Sequence, residues 1–192
     1  VLDDGREVTA HCPNPGSMMG LKAPDGRVWL AENDDPKRKL KFSLELVEAD
    51  GTLVAINTMN PNKIAEEAIR AGQISQLATF DTLRREVKYG TNSRIDLLLE
   101  HGDQPPTYVE VKNCHLMRTP GLTEFPDSVT TRGAKHLAEL SDMVREGSRA
   151  VQLFIVQRGD CDVLSPARDL DPNYADALSA ATSAGVEVIA YA

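Results

Sequence analysis

Cysteine is sparse in this chain of 192 residues: Cys12, Cys114 and Cys161 lie far apart, and no two form a C-x-x-C pair. An odd, scattered set argues against a disulfide framework and fits a reducing, cytoplasmic setting. It also argues against structural zinc, which takes closely spaced ligand pairs, even though His11 adjoins Cys12 and His115 adjoins Cys114. Long apolar runs are missing as well. Stretches such as 153–156 last only a few residues, far short of the roughly 20 that a membrane helix needs. Basic residues are in deficit, 21 against 29 acidic, for a net charge of −8. That is the wrong overall sign for a protein that coats nucleic acid, although a local basic cluster can still attract phosphate. The sequence holds no G-x-x-x-x-G-K, G-x-G-x-x-G, H-E-x-x-H or G-x-S-x-G, so the common phosphate-loop, dinucleotide, zincin and hydrolase signatures lend no support.

What is present divides near Thr58. Residues 1–58 carry short apolar or alternating runs at Val28-Trp29-Leu30, 42–47 and 53–56, separated by turn clusters at 13–16, 24–26, 33–36 and 50–51. Short strands with regular turn signals predict a small barrel or sandwich. The pattern at Val1 reads as already under way, which leads to the expectation of a further strand upstream. From residue 59 onward strands and helices mix. Asn60-Pro61 suits a helix start, Ile64, Ala68 and Ala71 recur on one face, and Gly72 can close the helix. Strands are expected at 86–89, 94–100, 107–112, 151–156 and 186–191, and helices at 134–145 and 174–184. Together these predict an α/β or α+β domain over 59–192.

The chemistry concentrates in two of those strands. In 94–100, alternation puts Ile95, Leu97 and Leu99 on one face and Arg94, Asp96 and Leu98 on the other. In 107–112, Glu110 and Lys112 project side by side, about 7 Å apart along the strand. If the hairpin brings Asp96 to that face, two carboxylates and an ammonium meet. Two carboxylates can hold a hard cation such as Mg²⁺ or Mn²⁺ through oxygen. The cation then polarises a phosphate and lowers the pKa of a bound water. Lys112 can orient that water or stabilise the developing charge. The same pattern also suits a solvated strand face on which Lys112 simply neutralises Glu110.

Asp followed by Glu-x-Lys on a hairpin resembles the PD-(D/E)xK nuclease core, and the wider wording is more specific. His11-Cys12-Pro13-Asn14-Pro15-Gly16-Ser17-Met18, Lys37-Arg38-Lys39, Glu86-Val87-Lys88-Tyr89-Gly90 and Ser93-Arg94-Ile95-Asp96 follow in order, then Phe125-Pro126-Asp127-Ser128-Val129-Thr130, Arg132-Gly133, Lys135-His136-Leu137 and Ser165-Pro166-Ala167-Arg168. Together they resemble the sugar fermentation stimulation protein A family, nearly end to end. The resemblance implies a small OB-like β-barrel domain followed by a restriction-endonuclease-like mixed-sheet domain. It also implies binding to double-stranded DNA without strong sequence preference, and a regulatory role in sugar use. On that pattern Asp96 and Glu110 match the acidic pair and Lys112 the lysine, with the Val111 carbonyl as a further metal ligand. Glu67 lies on the preceding helix, where nuclease relatives often place another acid, and helical geometry sets it beside the Ile64/Ala68 face while Glu66 points to solvent. Pro15 stands where the family usually has threonine, and Asn113-Cys114 where small or aliphatic residues are more usual. The family's amino-terminal segment has no counterpart here.

Basic residues fall in two groups, Lys37, Arg38, Lys39 and Lys41, and then Arg84, Arg85 and Lys88, with Arg94 a further candidate for phosphate. In an extended segment Lys37, Lys39 and Lys41 would share a side. Contacts from such residues, with His11 and Asn14 from the nearby turn, would position a phosphate backbone without reading sequence. Three functions follow: a DNA-binding protein with a metal-dependent nuclease site, a non-catalytic DNA-binding regulator of sugar (maltose) metabolism, or an acidic domain that binds something else. A homodimer would suit a duplex, but no interface signature is visible.

Overall fold

The computed structural model describes residues 1–90 and 92–192. Its first unit is built on one long strand, β3 (Phe42–Ala49). Strand β2 (Val28–Glu32) runs antiparallel along one edge. The other edge is shared by β1 (Ala10–His11), which is parallel, and β4 (Thr52–Ala55), which is antiparallel. The β3–β4 hairpin turns on Asp50 (φ +54°) and Gly51 (φ +80°). Positive φ at both central residues gives the twist that a tight hairpin needs, and Asp-Gly supplies it. Met18, Leu21, Val47, Val54 and Ile56 form a small core of their own.

A helix, α1 (Pro61–Arg70), follows. Asn60 stands at its N-cap but does not cap it with its side chain; its amide donates to Glu45 Oε2 instead, 2.9 Å away. Gly72, at φ +71°, closes the helix: its N–H reaches the Ile69 carbonyl and that of Gln73 the Ala68 carbonyl, the paired bonds of a Schellman end. The buried face is Pro61, Ala65, Ala68 and Ile69, turned from the expected Ile64/Ala68/Ala71 stripe, and Ala71 is exposed.

The second unit is a mixed five-stranded sheet in the order β12-β10-β7-β6-β5. Its strands are β5 (Thr82–Tyr89), β6 (Ser93–His101), β7 (Gln104–Cys114), β10 (Arg149–Val156) and β12 (Glu187–Tyr191). The β5–β6 and β6–β7 pairs are antiparallel; β7–β10 and β10–β12 are parallel. Helix α1 covers one face over Leu97, Leu99, Val109, Val111, Val151 and Leu153. Helices α2 (Thr131–Arg145) and α3 (Pro172–Ser183) cover the other, packing through Leu137, Leu140, Met143, Tyr174 and Ala181. Both are capped from the side chain, Thr130 accepting from the Gly133 N–H and Asp171 from the Tyr174 N–H. The mixed α+β architecture expected of the second unit is therefore present.

Two details differ from the sequence reading. Pro105 and Pro106 lie inside β7, not in a loop. The hairpin closes at His101↔Gln104, and β7 meets β10 only from Thr107, so neither proline lacks an N–H that a β10 ladder bond needs. A second, three-stranded sheet, β8 (Leu116–Thr119), β9 (Gly121–Phe125) and β11 (Cys161–Pro166), was not expected. Its strands are short and mixed in polarity, and they gain definition from pairing that is remote in sequence.

The two units are joined by backbone and charge. Val54 bridges Arg158, and the Ala55 N–H donates to the Gln157 carbonyl at 2.9 Å. Arg158 pairs with Asp50 (3.0 Å) and Asp160 (2.6 Å). Asp127 forms the second joint. It accepts the Met18 N–H at 3.0 Å, and Ser17 Oγ donates to its carbonyl at 2.8 Å. Gly16 lets the two units approach here: a Cβ at that position would come within 2.7 Å of Asp127 Oδ2 and force the carboxylate to shift.

Candidate metal centre and nucleic-acid interface

The fork between β6 and β7 brings the acidic residues together. The ladder stops at Leu97↔Val109, so the following residues of β7 lose their β6 partners. The Asp96 carboxylate replaces one of them: its Oδ2 accepts the Val111 N–H at 2.8 Å, while Oδ1 accepts from Asn62 of α1 at 2.7 Å. Glu110, one residue before Val111, is buried with 2% exposure. Its Oε1 accepts from Lys112 Nζ at 2.6 Å and contacts His136 Nδ1 of α2. Its Oε2 is buried without a partner.

Glu110 and Lys112 thus share a strand face as alternation requires, but Asp96 arrives by another route. Ile95 packs in the core under α2 and α3, whereas Leu97 and Leu99 pack in the core under α1. The expected single face for Ile95, Leu97 and Leu99 is therefore broken at Asp96. Strand β5 inverts at the same level, with Leu83 in one core and Tyr89 in the other. Between the Arg85↔Leu97 and Val87↔Ile95 pairs stands Glu86, at φ +53°, a left-handed conformation that interrupts regular pleating. At this inversion Asp96 turns across the fork toward β7.

The charges feel one another. Burial, and then the charge of Glu110, push the Asp96 carboxyl up to about 6, against the Val111 N–H, Lys112 and Asn62, which pull it down. Burial alone would raise Glu110 too, but the bonds from His136 and Lys112 outweigh it and hold its carboxyl below the usual range. The two acids are therefore tuned in opposite directions, a pattern typical of functional sites. Tyr89, whose hydroxyl is buried without a partner, is pushed up by burial and by Glu110, Glu139 and Asp96.

Glu67 does not join them. It is exposed, and it is Asn62 that α1 presents to Asp96. Five residues on a helix is a rotation of about 140°, which carries Glu67 away from Asn62. Glu66 is not left to solvent either; it pairs with Arg70 at 2.9 Å and Arg85 at 3.5 Å. Among the described residues no group of three or more His, Cys, Asp or Glu is placed to hold a metal. A cation here would rely on the two carboxylates and backbone or water oxygen. Asn62 and His136 were missed as site residues. His136 stood in a motif that carried the resemblance, but no spacing rule ties either residue to Asp96 or Glu110.

The basic residues separate. His11, Arg38, Lys39 and Leu40 line one surface hollow on the first unit. The segment opens with a turn at Pro36-Lys37: Asp35 accepts the Lys37 N–H through its side chain and the Arg38 N–H through its carbonyl. Lys37, Lys39 and Lys41 are all exposed. Arg38 is steadied by Ser43 Oγ at 3.0 Å. Asn14 is structural. Its amide donates to the Ile56 carbonyl and its carbonyl oxygen accepts the Gly16 N–H, both at 2.9 Å, so it holds the turn while one amide N–H keeps its donor capacity. Lys88 and Arg94 pair across β5–β6 and line a second hollow with Tyr89 and Ser93. Lys135 Nζ donates to Ser93 Oγ there, at 3.1 Å. Arg84 and Arg85 are instead paired with Glu100 and Glu66. No helix among the described residues is long and apolar enough to cross a membrane.

Comparisons with known proteins cover both units. Residues 1–56 match the SfsA N-terminal OB domain, and residues 59–192 match the sugar fermentation stimulation protein RE domain. A sugar fermentation stimulation protein homolog from Maricaulis maris is 62% identical over 191 residues, which is 100% of this chain and 81% of that protein. A homolog of the same description from Caulobacter vibrioides is 54% identical, over 100% of this chain and 80% of its own length. Among solved structures, SfsA of Pyrococcus furiosus in complex with Ca²⁺ superimposes with a TM-score of 0.87 at 27% identity, over 97% of this chain and 79% of the other.

Proposed function

The chain belongs to the sugar fermentation stimulation protein family, and from that premise we propose that it binds duplex DNA largely without regard to sequence and hydrolyses phosphodiesters at a divalent-metal site. The observation that carries the proposal is the unpartnered, buried Glu110 Oε2 beside the Asp96 carboxylate. Leaving a buried polar atom unsatisfied costs about 1–3 kcal/mol, more when the group is charged; a cation between the two acids removes that cost. The donor set suits a hard cation such as Mg²⁺ or Mn²⁺. The Val111 N–H points at Asp96. In an extended strand a residue's N–H and C=O lie along the same edge, so the Val111 carbonyl faces the fork and supplies a third oxygen. The Ca²⁺ in the Pyrococcus furiosus relative agrees with a hard-cation site in the family fold.

A bound divalent ion supplies charge to polarise the phosphate and acidify a water. Lys112 holds its ammonium beside Glu110, where it stabilises negative charge that builds up on the phosphate. The hollow of His11, Arg38 and Lys39, with exposed Lys37 and Lys41, holds the duplex through phosphate. Lys88 and Arg94 do so nearer the acids. A non-catalytic DNA-binding regulator is favoured by one observation: Lys112 is committed to Glu110, and among the described residues no third acidic ligand joins the pair. Incubating the native protein and Glu110→Ala with plasmid and Mg²⁺ or Mn²⁺ separates the two. Nicking by the native protein alone supports hydrolysis. Retention of DNA by both proteins with cutting by neither supports the regulator.

A further inference from the structure

Glu110 is held by more than its strand neighbour. His136 is 5% exposed and touches Glu110 Oε1 through Nδ1. On the other side of the ring, Arg132 Nε donates to His136 Nε2 at 3.3 Å. Arginine can only donate, so Nε2 is the accepting nitrogen and the ring proton sits on Nδ1, directed at Glu110. Lys112 donates to the same Oε1. Both available donors therefore converge on one carboxylate oxygen and leave the other, Oε2, bare. Arg132 and His136 are one helical turn apart on α2, so the chain of contacts is set by rigid helix geometry. The Thr130 cap fixes where that helix begins.

Resting on the metal-site reading above, we infer that Arg132 and His136 are positioning residues: they fix the tautomer of His136 and the rotamer of Glu110 so that Oε2 is the atom offered to the cation. Neither touches the metal. Partners of this kind, one contact removed from a metal, typically change affinity 10–100-fold when lost. Nothing in the strand alternation requires them, because Glu110 and Lys112 would still meet without α2.

The test uses the full chain and Mn²⁺ alone, with affinity read by titration calorimetry. Asparagine places its side-chain N–H₂ close to where histidine places Nδ1, so His136→Asn keeps the donor and His136→Leu removes it. We expect His136→Leu to weaken Mn²⁺ binding about 10–100-fold, His136→Asn to stay near the native value, and Arg132→Ala to fall between. Nitrogen-15 NMR of the unsubstituted, metal-free protein should show His136 protonated at Nδ1, a measurement that needs no variant to fold. Equal losses for His136→Asn and His136→Leu, or an Nε2-protonated ring, would overturn the inference. So would unchanged affinity in His136→Leu when Glu110→Ala has lost binding, and that result would leave the metal site standing. Unchanged affinity in Glu110→Ala would overturn both.

Discussion

The hollow beside β1 and the fork between β6 and β7 are both built from charged side chains, on opposite plans. At the hollow, Lys37, Lys39 and Lys41 stand exposed on and beyond a turn that Asp35 organises. At the fork the carboxylates are held by fixed partners, Asp96 by Asn62 and the Val111 N–H, Glu110 Oε1 by Lys112 and His136, with Glu110 Oε2 alone left bare. Exposed charges interact weakly and are screened by salt. Buried ones hold geometry, and removing a partner is costly. The first region therefore suits a loose, salt-sensitive hold on a polymer, and the second a fixed coordination geometry for one small ion.

The largest effect should come from the fork. Glu110→Ala removes the buried carboxylate and is expected to weaken Mn²⁺ binding by more than about 100-fold, beyond the range for its supporting partners. DNA retention in a mobility-shift assay should persist or tighten, since a negative charge near phosphate is gone. Loss of DNA binding in that variant would erase the division of labour. Next, Arg38→Ala with Lys39→Ala is expected to flatten the dependence of DNA affinity on salt by roughly two phosphate contacts, at about 0.9 in log–log slope for each. Mn²⁺ affinity should stay unchanged, and an unchanged slope would show that the hollow does not meet phosphate.

A third prediction addresses the joint between the regions. Burial opposes ionisation of Asp127, but His115 and the Met18 N–H overcome it and hold its carboxyl at about 2. A folded-state value below the ordinary one means that this stability is fully present above about pH 4 and is lost as pH falls through about 2. The shift corresponds to about 2 kcal/mol. Asp127→Asn should therefore lower the denaturation midpoint at pH 7, with the difference from the native protein shrinking toward pH 2. A constant difference would assign the loss to packing around Gly16 instead. The smallest effect should come from Glu67→Gln, which is expected to change stability by less than about 0.5 kcal/mol, as for ordinary surface substitutions, and to leave Mn²⁺ affinity alone. A substantial loss of affinity would place Glu67 back at the site.

Much of this contrast is legible in the sequence. Strand alternation alone sets Glu110 beside Lys112, and Asn60-Pro61 with Gly72 bounds α1. Three features were not legible, for one physical reason. The pleat inversion at Asp96 depends on Glu86 in the adjoining strand, the presentation of Asn62 rather than Glu67 depends on how α1 is rotated against the sheet, and the contact of His136 with Glu110 depends on α2 packing. All are tertiary choices that local periodicity does not encode. The basic segment differs again: Asp35 and Pro36 make a hydrogen-bonded turn that takes in Lys37 and Arg38, so strand alternation does not order Lys37 against Lys39 and Lys41.

Anomalous diffraction from crystals of the native protein soaked in Mn²⁺ tests the central claim most directly. A peak is expected between Asp96 and Glu110, within roughly 2–2.5 Å of Glu110 Oε2. Saturating Mn²⁺ with no density at the fork, or a peak that leaves Oε2 uncontacted, would contradict it.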